Sequence, residues 1–264
     1  MPFLILTMYL TWLDSNSWLI ELDGKRILLD PWLVGDLTFG NLTWLFKSYR
    51  HQERAIPDSL DLILLSQGLE DHAHPETLKR LDKTIPVVGS LSAATVAQKL
   101  GFNQVTALKH GEAFTLGQLT IQATPGSPLG PMVQENGYLI KDLASGVKLY
   151  YEPHGFHAPA LKENAPIEVV ITPLIDLALP LVGSIIKGTE SALKLARDVR
   201  PQVMLPTAAG GDILFDGILP SMLKAIGSPG EFRAKLAENG LQTRVLEPKP
   251  GERIEISLRA AIVP

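Results

Sequence analysis

The sequence predicts an α+β fold: an αββα four-layer sandwich in which two similar β-rich halves pack sheet against sheet, with helices outside. Three observations carry this expectation. Strand-like apolar runs outnumber helical patterns, and the helices are scattered among them rather than gathered into a bundle. An internal repeat relates residues 16–32, NSWLIELDGKRILLDPW, to residues 136–154, NGYLIKDLASGVKLYYEPH. The segments after each copy are also parallel: DLILLS (61–66) and EVVIT (168–172) are buried-type strands opened by an acid, each followed by a helix and a further strand.

Taken along the chain, the strand signals are Leu4–Leu13, Ser17–Leu22, Arg26–Leu29, Leu60–Leu65, Val87–Gly89, Leu119–Ala123, Gly137–Lys141, Lys148–Tyr151, Glu168–Ile171, Gln202–Leu205 and Arg253–Leu258. Turn dipeptides separate them, among them Asp23-Gly24, Asn136-Gly137, Ser145-Gly146 and Pro250-Gly251. Four helices are predicted. Pro75–Leu81 opens with Pro in its first turn. Leu91–Leu100 follows Ser90 as N-cap and stops at Gly101. Thr189–Val199 ends at Arg200-Pro201, and Pro229–Glu238 ends at Asn239-Gly240. Each repeat copy reads as a β-hairpin whose second strand delivers an acid-Pro pair, Asp30-Pro31 or Glu152-Pro153, at its C-terminal end. The expected organisation is one domain over 1–264, with halves of about 1–125 and 126–264 and a site where the strand ends of both halves converge.

Composition narrows the function. The 264 residues are 45% apolar and 20% charged, which excludes disordered and collagen-like chains. A net charge of −4 gives no global attraction for nucleic acid or anionic lipid, so neither is an expected partner. Cysteine is absent, which removes disulfides, zinc fingers and a thiol nucleophile and leaves only His and carboxylates as metal ligands. The apolar start, MPFLILTMYLTWLD, lacks a basic leader and a cleavage site and is too short to span a bilayer. A leading strand and a cytoplasmic protein with a small-molecule ligand are expected. A homo-oligomer is left open.

Several motifs together resemble one family. TWLDSNSWLIELDGKRILLDPWL is similar to the opening of the metallo-β-lactamase superfamily, most of all the branch that contains L-ascorbate-6-phosphate lactonase and metal-dependent hydrolase-like proteins. DLILLSQGLEDHAHPETL stands where that family carries Ser-His-x-His-x-Asp-His. ATPGS stands at the next metal-binding His, LYYEPHG at the Gly-Asp-Thr-Gly that supplies a bridging Asp, and RPQVMLPTAAGG at the last His. The resemblance covers about residues 9–257 in order and implies the same αββα sandwich.

The ligand pattern departs from the family. Gln67 and Leu69 replace the first two His, Ser127 the third and Ala208 the last, while Asp71 and His72 remain. His154 stands at the bridging-Asp position. Asp14-Ser15 occupies the place of an early Gly-His. By this comparison a two-metal site is lost, and at most one metal remains.

Of six His, four fall in two clusters, Glu70-Asp71-His72-Ala73-His74 and Glu152-Pro153-His154-Gly155-Phe156-His157. Two His and a carboxylate hold Zn, Mn or Fe with open positions for water. The expected ligands are Asp71, His72 and His154, with His74, His157 and Asp30 as alternatives or outer partners. Asp71 and Glu152 are the expected proton-transfer carboxylates. Trp32, Gln67 and Ser127 are expected to touch substrate. A structural reading competes: Asp71 or His74 caps the helix at Pro75, His72 is a hydrogen-bonded core residue, and Glu152 and Asp30 orient turns. One divalent metal and no metal stand as equal expectations. The corresponding functions are a one-metal hydrolase of a small ester, lactone or phosphoester, metal-free acid–base chemistry, or a non-catalytic binding or scaffolding module. No P-loop or Gly-x-Ser-x-Gly elbow occurs. The apolar segment Ile171–Ile186 is expected to be core or helix packing, with a pocket wall or dimer contact as alternatives.

Overall fold

The computed structural model describes residues 4–40, 42–129, 133–180, 183–208 and 210–260. The first sheet contains β1 (Leu4–Trp12), β2 (Trp18–Leu22), β3 (Lys25–Leu29), β6 (Leu62–Leu65), β7 (Val87–Gly89), β8 (Val105–Ala107) and β20 (Arg253–Ala260). The second contains β9 (Ala113–Leu116), β10 (Leu119–Leu129), β11 (Val133–Asp142), β12 (Lys148–Tyr151), β13 (Val169–Ile171), β16 (Val203–Leu205) and β19 (Arg244–Val245).

The two sheets share one topology. The first runs β20-β1-β2-β3-β6-β7-β8 and the second β9-β10-β11-β12-β13-β16-β19. In each, the first three pairings are antiparallel and the last three parallel. The repeated hairpin is β2–β3 in one sheet and β11–β12 in the other. The tight Asp23-Gly24 turn uses positive φ at both residues, 50° and 67°, as a two-residue hairpin turn requires. The expected boundary near 125 lies inside β10, and β20 returns to the first sheet. By sheet, the molecule divides into 4–107 plus 253–260, against 113–245.

Alternation along the strands builds the layers. Trp18, Ile20 and Leu22 of β2 and Leu149 and Tyr151 of β12 enter the core between the sheets. Leu19 faces the outer layer of α1 (Pro75–Arg80) and α2 (Leu91–Lys99). Tyr150 faces that of α3 (Thr189–Val199) and α5 (Pro229–Glu238). Each large core side chain contributes about 1.5–3 kcal/mol by burial.

Two accessory sheets stand at the end where the parallel strands finish. One is β4 (Leu37–Thr38), β5 (Lys47–Tyr49) and β17 (Leu214–Asp216). The other is β14 (Asp176–Leu179), β15 (Gly183–Ile186) and β18 (Lys224–Ile226). A short helix, α4 (Ile218–Met222), joins β17 to β18. The segment 171–186 starts in the core with Ile171 and Leu174 and goes on into the β14–β15 pairing. No described helix is long and apolar enough to cross a membrane.

Candidate metal centre and its pocket

Loops leaving the C-terminal ends of the central strands deliver the polar residues. Asp30 follows β3, Asp71 and His72 follow β6, and Glu152 and His154 follow β12. The parallel pairing of β3 with β6 sets Asp30 beside the loop that carries His72. Tyrosines from the second sheet tie the sheets beneath this edge: Tyr138 donates to the Leu65 carbonyl at 2.7 Å, and Tyr151 donates to Asp30 Oδ2 at 2.6 Å.

Asp71, His72 and His154 each present a donor atom within 4.8 Å of the others. The His72 and His154 ring centroids are 5.1 Å apart. His72 is fully buried, with Nδ1 2.7 Å from Asp30 Oδ2 and Nε2 3.2 Å from Asp71 Oδ2. Burial alone lowers the His72 pKa, but the two carboxylates outweigh it and push it up to about 10. For Asp71, burial opposes ionisation, and His72 outweighs it, holding the carboxyl below its ordinary value. Burial, and then the charge on His72, lower the His154 pKa to about 3, so its ring is neutral near pH 7.

These residues fit one divalent ion. Asp71 Oδ1 is buried without a hydrogen-bond partner. The neutral His154 ring offers a lone pair. Asp30 holds His72 through Nδ1 and leaves Nε2 facing Asp71, the orientation in which a ligating His is fixed by an outer carboxylate. Among the described residues no second group of three His, Asp or Glu side chains comes close enough to hold another ion.

The other expected residues divide. Trp32, Gln67 and Ser127 line the cavity described below. Asp30 is not a ligand in this geometry, because its carboxylate also accepts from Ser66 N at 2.6 Å and Ser66 Oγ at 2.5 Å. His74 caps α1, accepting from Thr77 N at Nδ1, with Nε2 3.2 Å from the Asp36 carbonyl. His157 lies between Tyr150 Oη at 3.3 Å and Thr172 Oγ1 at 3.4 Å. Neither His74 nor His157 turns toward the cluster.

Glu152 is fully buried, lies outside the cavity lining and keeps Oε1 without a hydrogen-bond partner. Its Oε2 instead accepts from His154 N at 3.1 Å and Phe156 N at 2.7 Å, which shapes the loop that presents His154. Burial raises its pKa to about 7 against those backbone donors.

A cavity of about 760 Å³ lies over Asp71 and His154. Leu37, Phe46 and Phe215 wall one side and Leu177, Ile186 and Ala225 the other, drawn largely from the two accessory sheets. The wall from Leu177 and Ile186 lies in the run Ile171–Ile186, for which a pocket wall is one alternative; the facing wall and one buried clamp carry no such signal in the sequence. Asp14 Oδ2 accepts from Arg50 Nε and Arg54 Nε, both at 2.8 Å, and its Oδ1 accepts from Asp212 N at 3.0 Å. Arg50 also stacks on Trp32, 4.1 Å from the ring centroid. The only signal was Asp14 itself, noted as a replacement without a partner.

Two facing sheets of one topology, with helices outside and His and carboxylate donors at the strand ends, define a hydrolase-type sandwich of the metallo-β-lactamase kind. Residues 9–208 match the model of the beta-lactamase superfamily domain, and the chain belongs to that metallo-β-lactamase superfamily. A metal-dependent hydrolase of Methanopyrus kandleri is 26% identical over an alignment covering 94% of this chain and 100% of that protein. One from Ignicoccus hospitalis is 27% identical, covering 94% and 97%. Among solved structures, the fold is similar to Igni18, a metallo hydrolase from I. hospitalis, with a TM-score of 0.67 and 19% identity over 96% of this chain and 100% of that one. It is equally similar to an isothiocyanate hydrolase from Delia radicum gut bacteria, with a TM-score of 0.67 and 17% identity over 96% and 100%.

Proposed function

We propose that the protein is a metal-dependent hydrolase with a single-metal site formed by Asp71, His72 and His154, acting on a small-molecule ester or lactone. The observation that carries this is the convergence of three donor atoms within 4.8 Å, with Asp71 and His154 lining a cavity, His72 buried behind them and Asp71 Oδ1 unpartnered. A bound divalent ion supplies Lewis acidity and activates water near neutral pH. The protein residues do the rest. Asp30 keeps the His72 ring in place, and the Glu152 carboxylate fixes the His154 loop. Asp71 would hold the ion through its unpartnered Oδ1. The Gln67 amide, which lines the cavity, orients the scissile group by donating from Nε2 to its carbonyl. The apolar walls exclude bulk water.

The test is hydrolysis of p-nitrophenyl esters and aliphatic lactones by protein reconstituted with Zn²⁺, Mn²⁺ or Fe²⁺. Activity lost in chelator and in His154→Ala supports the reading. Activity equal in chelator would transfer it to metal-free acid–base chemistry. A non-catalytic binding module is the second reading, favoured by the groups at positions 67, 69, 127 and 208, and ligand binding without turnover under any metal would support it.

A further inference from the structure

We propose that the ligand of this cavity is an uncharged, largely apolar molecule with one carbonyl-bearing end, an alkyl or terpenoid ester by class. Its apolar part lies between the two accessory sheets, and its carbonyl points to Asp71 and His154. As a statement about the substrate this rests on the hydrolase reading; as a statement about the ligand it rests on the cavity alone.

The walls are hydrocarbon and aromatic, and the volume falls within the range of small-molecule sites. Most polar groups of the lining, among them Asn16, Gln67, Asp71, Ser127 and His154, come from outside the accessory sheets, which contribute only the hydroxyls of Ser48 and Ser184. Among the described lining residues none is Lys or Arg, and Asp71 is the only carboxylate. The cations close by stand outside the lining. Arg50 gives Nε to Asp14 and Nη2 to the Trp32 carbonyl, with Nη1 buried and unpartnered, Lys47 pairs with Asp36 at 2.8 Å, and Lys187 sits over the Phe156 ring at 4.4 Å. In the metal-free protein a carboxylate or phosphate head would thus lose its water beside Asp71 with no Lys or Arg among the described lining residues to offset the loss. The apolar character also continues outward: Phe215, Ile218, Met222 and Ile226, on β17, α4 and β18, are all more than 40% exposed. Of these Phe215 also lines the cavity, which carries apolar surface from the pocket to the exterior.

The test is displacement of the uncharged dye N-phenylnaphthylamine from the full-length chain in chelator, so that no metal contributes. The competitors are methyl hexanoate, methyl octanoate, methyl decanoate, decanoate and decyl phosphate. Each added methylene is expected to tighten ester binding about two- to fourfold. Decanoate and decyl phosphate are expected to bind at least about tenfold more weakly than methyl decanoate. Leu223→Lys should weaken methyl decanoate at least about tenfold and favour decanoate. Ala225→Lys, at an exposed strand position, repeats the test should the first variant fail to fold. Anions binding as tightly as the ester, affinity indifferent to chain length, or lysine variants with unaltered preference would overturn the proposal. In a second arm the metal-loaded protein meets p-nitrophenyl decanoate and acetate. Ester binding with no hydrolysis would sink the hydrolase reading and leave the ligand class standing. Hydrolysis of acetate with no saturable binding of the long esters would do the reverse.

Discussion

His72 Nδ1 and Asp30 Oδ2 lie 2.7 Å apart, both fully buried, and join the end of β3 to the loop beyond β6. Asp30 adopts φ 42°, a conformation open to Asp and Asn but costly for most residues. In Asp30→Asn one oxygen becomes an amide that faces donors from Ser66 and Tyr151. The expected result is a loss of about 1–3 kcal/mol in urea unfolding, with metal affinity reduced about 10–100-fold in titration. Wild-type metal affinity in a folded Asp30→Asn protein would show that His72 needs no such support.

The Asp14 clamp makes a separate prediction. Its carboxylate is fully buried, as is nearly all of the Arg50 side chain. Burial lowers the Arg50 pKa, and Asp14 opposes that shift. Asp14→Ala leaves a buried guanidinium unpaired and is expected to cost about 3 kcal/mol or more in chemical denaturation. A loss below about 0.5 kcal/mol, the usual range for surface changes, would mean that solvent reaches Arg50.

Gly155 is the tightest point of the His154 loop. It has φ 78°, and a Cβ there would stand 1.5 Å from the Lys187 carbonyl oxygen. The same strand end holds the loop, since Lys187 N donates to the His154 carbonyl at 2.9 Å. Gly155→Ala must therefore displace the loop or β15. The expected readouts are a lower unfolding midpoint and a loss of metal binding as large as in His154→Ala. Normal metal binding in this variant would separate the loop from the metal site.

Acid should destabilise the metal-free protein in a defined window. His154 and His157 are lowered to about 3, chiefly by burial, from an ordinary value of 6.5. Between these values the unfolded chain binds more protons, so stability rises with pH and falls on acidification. Glu152, raised to about 7 from 4.5, acts oppositely between those values, because there the folded chain holds the extra proton. The combined loss from these groups is thus steepest below about pH 4.5. His157→Gln should reduce the slope of stability against pH by about 1.4 kcal/mol per pH unit in chelator. An unchanged slope in urea unfolding across the acid range would mean that His157 charges without unfolding.

The repeat made the fold legible. Matching hairpins with acid-Pro ends map onto β2–β3 and β11–β12, and the strands after each hairpin occupy equivalent places. The same symmetry explains why Asp71, His72 and His154 stand out in sequence, since all three sit on loops beyond such strands. Of the cavity walls only the run Ile171–Ile186 is legible, as one alternative, and the others are not. They come from strands of two to four residues paired across long separations, as β5 with β17, and so short a segment carries little periodicity. Glu152 shows the limit of cluster reasoning: it shares the His154 loop, yet backbone N–H groups turn its carboxylate inward. Asp14 and Arg50 are 36 positions apart, and nothing in their local sequence pairs them.

The most direct test of the central claim is metal content by plasma mass spectrometry, on untagged protein purified without chelator. About one Zn, Mn or Fe per chain is expected in the wild type, and close to none in Asp71→Ala or His154→Ala. No bound metal even after incubation with excess Zn²⁺ or Mn²⁺, or metal retained in both folded variants, would contradict a single-metal centre at Asp71, His72 and His154.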